Sequence, residues 1–366
     1  MSQNPTPYRR ILVTKLRFHG DMLLTTPLIS TLKANYPDAK IDVLLYEDTI
    51  PILSENKDIH HLYGIKRKEK STISAIKNIL KLIFALRKNH YDLIINLTDQ
   101  WPIAQLLRFA KSSRKISLKF PHRQSLLWTS CFDEIINPAG SHVVEQTLSI
   151  LKPLNITTLK TKTVMAYDVR HWEEIHNHLI QLNADKKYVV IQPTARQIFK
   201  CWDNDKFAEV IDHIQSCGWN VILTSGPGKE DQQCIKSIAD LCQSPPITDF
   251  AGKTSFPQLA ALIDHAELFI GVDSAPMHMA AALETPIVCL FGATDHQFWR
   301  PWSDNKIIIW AGDYQTMPQR SDLDRQYKYL SCIPAKDVTK AAMKMLSKNM
   351  ATSQPEINTY QSGTPL

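Results

Sequence analysis

No apolar run in this chain approaches the ~18–20 residues needed to cross a bilayer, so a helical membrane span is excluded. The start, MSQNPTPYRR, has no apolar segment of the kind a secretory signal carries, and the expected location is the cytosol. The seven cysteines (Cys131, Cys201, Cys217, Cys234, Cys242, Cys289 and Cys332) are odd in number, scattered, and never spaced C-x-x-C. That spacing argues against a disulfide framework and against a zinc site. Neither G-x-G-x-x-G nor a complete P-loop G-x-x-x-x-G-K-[ST] occurs, so neither a dinucleotide fingerprint nor a P-loop is supported. No zinc-finger spacing, RNP-like aromatic motif or helix-turn-helix stands out, and nucleic acid is not an expected partner. No D-x-D triplet reads clearly as a metal site.

What is present is ordinary for a globular protein: 44% apolar and 21% charged residues over 366 positions, enough for about two domains with a core each. The net charge of +6 is mild and suits a nucleotide, an anionic acceptor or an acidic membrane surface. Apolar runs of strand length alternate with helical patterns throughout. Residues 10–15, 41–46, 59–65 and 91–97 read as strands, with helices over 22–35 and 71–89. A second series starts with a strand at 188–191 and continues with strands at 219–224, 268–272, 287–291 and 306–310. This alternation predicts parallel sheets covered by helices. The domain boundary is expected within 155–187, and 142–152 reads as a helix. Two segments are markedly basic, Lys66–Lys70 and Lys111–Lys115. The helix between them mixes Ile, Leu and Phe with Lys77, Lys81, Arg87 and Lys88. It reads either as a face for an anionic membrane or as an ordinary solvated face. Residues 117–128, SLKFPHRQSLLW, read as a loop broken by Pro121 that could touch an acceptor.

The most informative stretch is LFIGVDSAPMHMAAALETPIVCLFGATDHQFWRPW, residues 268–302. It reads as strand, helix and strand, with Asp273, Ser274, His278, Gly292 and Thr294 near the carboxyl edge, where open parallel sheets bind ligands. A helix start offers free N–H groups and partial positive charge to an anion. Alone, Asp273 reads first as a helix cap, and His278 as a satisfied buried histidine.

In combination, D-[ST]-[GA]-x-x-H-x-A-A-A at Asp273–Ala282, followed by P-x-x-x-L-F-G-x-T and Pro301, resembles the donor-site motif of the heptosyltransferases. These are glycosyltransferase family nine enzymes of the lipopolysaccharide inner core. Ala275 stands where many members have Gly. K-x-x-x-x-G-D, Lys15 to Asp21, is a second point of resemblance, which covers nearly all of residues 9–348.

The resemblance implies a GT-B fold: two Rossmann-like domains facing across a cleft. The first, 1–170, would take the acceptor and the second, 171–333, the ADP-sugar. A helix over 334–348 would return to the first domain, ahead of a disordered tail, 349–366. It implies inverting transfer from ADP-heptose to the lipopolysaccharide inner core, and the Ala275 change and the R-F-H-G-D turn are most like the branch that adds a third heptose onto heptose II. The protein would lie peripherally on the cytoplasmic face of the inner membrane, with no cofactor and no metal.

By the same resemblance Asp21 is the catalytic base, which remains compatible with its being a helix cap, and Lys200 is the second catalytic group. Lys200 and Thr194 meet the donor diphosphate, Glu230 the ribose, and Lys253 and Thr254 border the base. Asp273, Ser274, Ala275 and His278 complete the donor site. Trp202 matches the family's K-x-W, and Arg196 is a further cation nearby. Lys15, Arg17 and His19 lie close to Asp21 and are candidates for an anionic acceptor. Two other readings are an epimerase-like nucleotide-sugar enzyme of the same fold and a non-catalytic nucleotide- or polysaccharide-binding protein.

Overall fold

Two parallel β-sheets organise the chain. The computed structural model describes residues 8–68 and 71–352. In the first half, β1 (Arg10–Thr14) leads through α1 (His19–Leu23) and α2 (Thr26–Asn35) to β2 (Lys40–Tyr46) and β3 (His61–Ile65). Then follow α3 (Thr72–Asn89), β4 (Tyr91–Asn96), α4 (Trp101–Phe109), β5 (Ser112–Leu118), α5 (Leu126–Thr129), β6 (Glu134–Ile136) and α6 (Val143–Leu148). The sheet order is β3-β2-β1-β4-β5-β6, parallel throughout.

The second half runs α7 (Val169–Gln181), β7 (Tyr188–Gln192), α8 (Asn204–Ser216), β8 (Asn220–Leu223), α9 (Lys229–Leu241) and α10 (Phe256–Asp264). It continues through β9 (Leu268–Val272), α11 (Ala275–Ala282), β10 (Ile287–Phe291), α12 (His296–Trp299), β11 (Lys306–Trp310) and α13 (Ala335–Thr352). Its order is β11-β10-β9-β7-β8, and a parallel bridge from Ile247 to Ile222 adds one more position beside β8. Counted with that bridge, both sheets have the doubly wound order of a Rossmann fold, which opens a ligand crevice where the winding reverses. Those switch points lie between β1 and β4 and between β7 and β9.

Central strands buried on both faces must be apolar at every position, which is why β1, β7, β9 and β10 read as continuous hydrophobic runs. The carboxyl end of each switch point is instead tied by buried polar side chains. Thr14 donates to Asn96 Oδ1 at 2.9 Å, and Asn96 donates to Ser117 Oγ at 3.0 Å. In the second sheet Thr224 donates to Gln192 Oε1 at 2.8 Å, and Gln192 donates to Thr194 Oγ1 at 2.9 Å.

Several expectations need correction. The predicted helix over 22–35 is two helices: Pro27 lies in the first turn of α2, a proline's favoured place, and the chain turns between them. The region 111–128 is not simply a basic loop. β5 runs through its charged start because Arg114 is turned inward, to Glu134, Tyr8 and the carbonyl of Pro153. The helix expected over 142–152 ends at Leu148 and tightens into a 3-10 turn, Ser149–Leu154, that accommodates Pro153. The C-terminal helix does not return to the first half. α13 buries Val338, Ala342, Met345 and Leu346 with Phe207 and Ile211 of α8, and it runs on to Thr352 rather than stopping at 348. The rest of the predicted tail, 353–366, lies outside the described residues, as do the start, 1–7, and Glu69 and Lys70 of the first basic segment.

On one face of the first sheet, α3, α4 and α5 share a core with Leu12, Leu44, Tyr91 and Ile94, centred on the fully buried Trp128. Trp101 and Phe120 meet Trp128 edge-on, while its Nε1 finds no partner among the described residues. Trp128→Ala is expected to lower the unfolding free energy by about 3–5 kcal/mol in denaturant titrations. Trp128→Phe, which keeps most of the ring volume and removes the unpaired N–H, should lose clearly less.

Candidate active site

The carboxyl edges of the two sheets face each other, and the helix after β1 meets the helix after β9. α1 packs on α11 so closely that a Cβ on Gly20 would stand 2.8 Å from Cδ2 of His278. Only a glycine lets the first half's turn approach this ring. Asp21, Asp273 and Lys200 all lie near enough to act on the His278 charge. The structure therefore brings the turn after β1, the loop after β7 and the start of α11 to one place.

Lys200 Nζ and Asp273 Oδ2 are 2.6 Å apart, with the carboxylate buried. The cap reading of Asp273 is thereby corrected. Ser274 is the N-cap of α11, and even its hydroxyl makes no capping bond. The pair leaves two of the three Lys200 protons for other acceptors. Thr194 is buried and accepts from Gln192, so its own O–H is free to donate. Ser274 Oγ and His278 Nδ1 are buried with no hydrogen-bond partner among the described residues. Buried polar atoms are rarely left unpaired, and two on one short helix start mark a place built for polar contact.

Asp21 sits at the third position of α1 and reaches back to accept the Phe18 N–H at 3.3 Å. It is therefore a cap of sorts, half-buried and still accessible. Lys15 is buried beside it. Desolvation pulls the Lys15 ammonium below its usual range, opposed by the charges of Asp21 and Asp99. Arg17 is turned away, 3.1 Å from Asp99, and His19 bonds the Asp48 carbonyl while stacking on Phe256 at 4.5 Å. Only Lys15 of these three keeps its charge directed at Asp21.

The remaining donor candidates gather at the other side of the second sheet. Gly252, at φ +68°, lets its turn pack against Gly226, and its N–H bonds the Ser225 carbonyl at 3.1 Å. That contact joins the turn bearing Lys253 and Thr254 to the one that opens α9, where exposed Glu230 sits in the first helical turn. Trp202 is a core residue whose indole N–H bonds the Ile333 carbonyl. Two D-x-D triplets do occur, Asp203–Asp205 and Asp322–Asp324. Asp203 is taken up by Ser331 and Lys206.

Sequence reasoning missed the aromatic and basic clamp over the cleft. The Arg196 guanidinium lies 3.3 Å from the Phe18 ring centroid, and Arg67 lies 4.5 Å from the same ring and 3.8 Å from that of Tyr46. Nothing local signals a Phe met by two cations from residues this far apart in sequence. His142, which caps α6, likewise stacks on Trp302 and bonds the Arg300 carbonyl, joining the halves at a second point.

Burial drives both His142 and His278 down to about 4 from an ordinary value of 6.5. Below 6.5 the unfolded chain takes up protons that the folded protein refuses. Stability is therefore full at neutral pH and falls as the pH drops from 6.5 towards 4, by about 2 kcal/mol per imidazole at pH 5. Denaturant midpoints at pH 7 and pH 5 are expected to show this loss, and His142→Asn and His278→Asn should each remove about half of it.

The family model for glycosyltransferase family 9 (heptosyltransferase) matches residues 79–330. Lipopolysaccharide heptosyltransferase 3 of Escherichia coli K12 is 58% identical over 334 residues, covering 91% of this chain and 97% of its own length. Among solved structures, the glycosyl transferase family 9 protein of Veillonella parvula superposes with a TM-score of 0.81 at 21% identity, covering 93% of this chain and 98% of its own. The ADP-heptose lps heptosyltransferase II of E. coli superposes with a TM-score of 0.75 at 20% identity, covering 93% and 99%. The fold is the GT-B fold of these proteins, and by the family model and the 58% identical relative this chain belongs to glycosyltransferase family 9, the heptosyltransferases.

Proposed function

We propose that this protein transfers heptose from ADP-heptose to the inner core of lipopolysaccharide, adding the third heptose onto heptose II. The 58% identity to a heptosyltransferase 3 over nearly the full length of both chains carries this reading. The donor is the one named for E. coli heptosyltransferase II. The acceptor is a membrane lipid, so the enzyme works at the cytoplasmic face of the inner membrane.

The site geometry supports a single inverting displacement. Asp21 takes the proton of the acceptor hydroxyl as that oxygen attacks the anomeric carbon. The bond from this carbon to the diphosphate oxygen breaks, and ADP leaves with the electron pair. Charge grows on the diphosphate, and Lys200, the Thr194 hydroxyl and the start of α11 are placed to stabilise it. Asp273 is a positioning residue that holds Lys200 in reach. His278, neutral at physiological pH, offers a hydrogen bond without adding charge. Glu230, Lys253 and Thr254 hold the nucleoside end, and Lys15 keeps a cation beside Asp21 for an anionic acceptor. Cationic side chains serve where other transferases use a metal.

ADP release from ADP-heptose should depend on core-truncated lipopolysaccharide and persist in EDTA. Asp21→Asn is expected to cut kcat about 10²–10⁴-fold with donor KM little changed. Lys200→Ala should cut kcat about 10²–10³-fold and weaken donor binding as well. Donor binding without release would leave a binding protein, and acceptor-independent turnover would point to the epimerase-like alternative.

A further inference from the structure

The outer face of α3, α4 and α5 is not an ordinary solvated surface. Seven of the fifteen large apolar side chains exposed among the described residues lie in this one layer. Ile76, Leu80 and Phe84 form a ridge along α3, with 54%, 59% and 71% exposure. Leu126 and Leu127 of α5 are 87% and 65% exposed, and Phe109 ends α4 at 54%. Isolated exposed apolar residues need no explanation, but a contiguous set marks a binding surface.

The helices carrying them are joined side by side. Arg87 of α3 bonds the Phe109 carbonyl at 3.0 Å, and Arg108 of α4 bonds Ser130, just after α5, at 3.3 Å. Trp128 between the two exposed leucines and the following turn is locked in the core, so α5 holds Leu126 and Leu127 outward on a fixed base.

Charge identifies the occupant. Between Ser71 and Phe132 the chain carries ten Lys and Arg against two Asp, and α3, α4 and α5 contain no carboxylate. Both aspartates are engaged. Asp92 accepts the Arg9 and Arg10 N–H groups, and Asp99 pairs with Arg17 and His122. Lys77 and Lys81 flank the apolar ridge on the next helical row. Apolar side chains set among lysines, with no acid, match an anionic lipid surface, where the chains enter the headgroup boundary and the ammonium groups meet phosphates. No helix of the described residues is long and apolar enough to cross a membrane, so this contact would be peripheral.

We propose that the α3–α4–α5 face docks on an anionic bilayer, which rests on the reading of the protein as an enzyme of a lipid-borne acceptor. The loop leading into α5 is tied to the segment after β1: His122 meets Asp99, and Asp99 pairs with Arg17, four residues before Asp21. Docking on this face brings the cleft to the lipid that carries the acceptor sugar.

The test is co-sedimentation of the full chain with vesicles of phosphatidylcholine alone and of phosphatidylcholine with phosphatidylglycerol, alongside transfer to a soluble, deacylated core oligosaccharide. Wild type should bind the anionic vesicles selectively and come off at high salt. Phe84→Asp with Leu126→Asp should lower the bound fraction at least about ten-fold, and each of Lys77→Glu and Lys81→Glu about five-fold. Transfer to the soluble acceptor should stay at the wild-type rate in these variants, which certifies fold and site. Wild-type binding that is absent or indifferent to lipid charge overturns the proposal, as does unchanged binding by the variants. A concentration-dependent dimer that Phe84→Asp dissociates assigns the face to a second copy and overturns it too. Selective vesicle binding with no transfer to any acceptor upholds the docking face and removes the transferase reading.

Discussion

The contact on which the site depends is the His278 ring against the backbone of Gly20. It presses the turn after β1 onto the helix after β9, so the two carboxyl edges meet where both sheets reverse their winding. A side chain on Gly20 would have to move a buried ring that cannot swing into solvent. His142 and Trp302 make the second contact of the same interface, and Trp302 also bonds the Thr161 carbonyl of the connecting segment. Between these two contacts the halves are held near enough for groups from both to act on one ligand.

Electrostatics divides the cleft into two regions. At the start of α11, Lys200 is bound to buried Asp273, a pairing that holds each side chain in one geometry. Removing Lys200 would leave the buried Asp273 carboxylate uncompensated, which is far more costly than the pair's net contribution. Around Asp21 cations outnumber acids: Lys15 and Arg196 act on its charge, Arg67 acts on Arg196, and Asp48 and Asp99 pair with Arg67 and Arg17. An anionic acceptor would enter a positive field and meet one carboxylate at its centre.

The parts of the fold legible in the sequence are those whose physics is local. A strand buried on both faces must be apolar throughout, so β1, β7, β9 and β10 could be read directly. β5 could not, because five of its seven residues are polar and its one inward arginine is satisfied by groups from three other segments. α4 opens with a tryptophan and a proline, and α7 lies where a linker was expected. The route of α13 was expected from the resemblance alone, which carries no information on what its apolar face meets; packing against α8 keeps it on the second half. For the site, the motif residues could be assigned to the carboxyl edges from strand order alone. The pairing of Lys200 with Asp273 and the contacts of Arg67 and Arg196 with Phe18 could not, since both join residues far apart in the chain.

Ala275 stands where the motif that this chain resembles allows glycine, and its place at the start of α11 decides what either residue supplies there. Ala275 is the first helical residue of α11 and is not among the described residues with positive φ. The backbone therefore makes no demand that only glycine meets. What the methyl changes is clearance at the helix start, and what it adds is stiffness, since alanine in a compatible conformation stabilises by about 0.4–1 kcal/mol over glycine. That helix carries Ser274 at its cap and His278 one turn on, the two unpaired buried groups of the site. A firmer α11 start keeps these donors and acceptors in place before a ligand arrives, so less ordering remains to be done on binding. The helical geometry thus accommodates alanine at this position without strain.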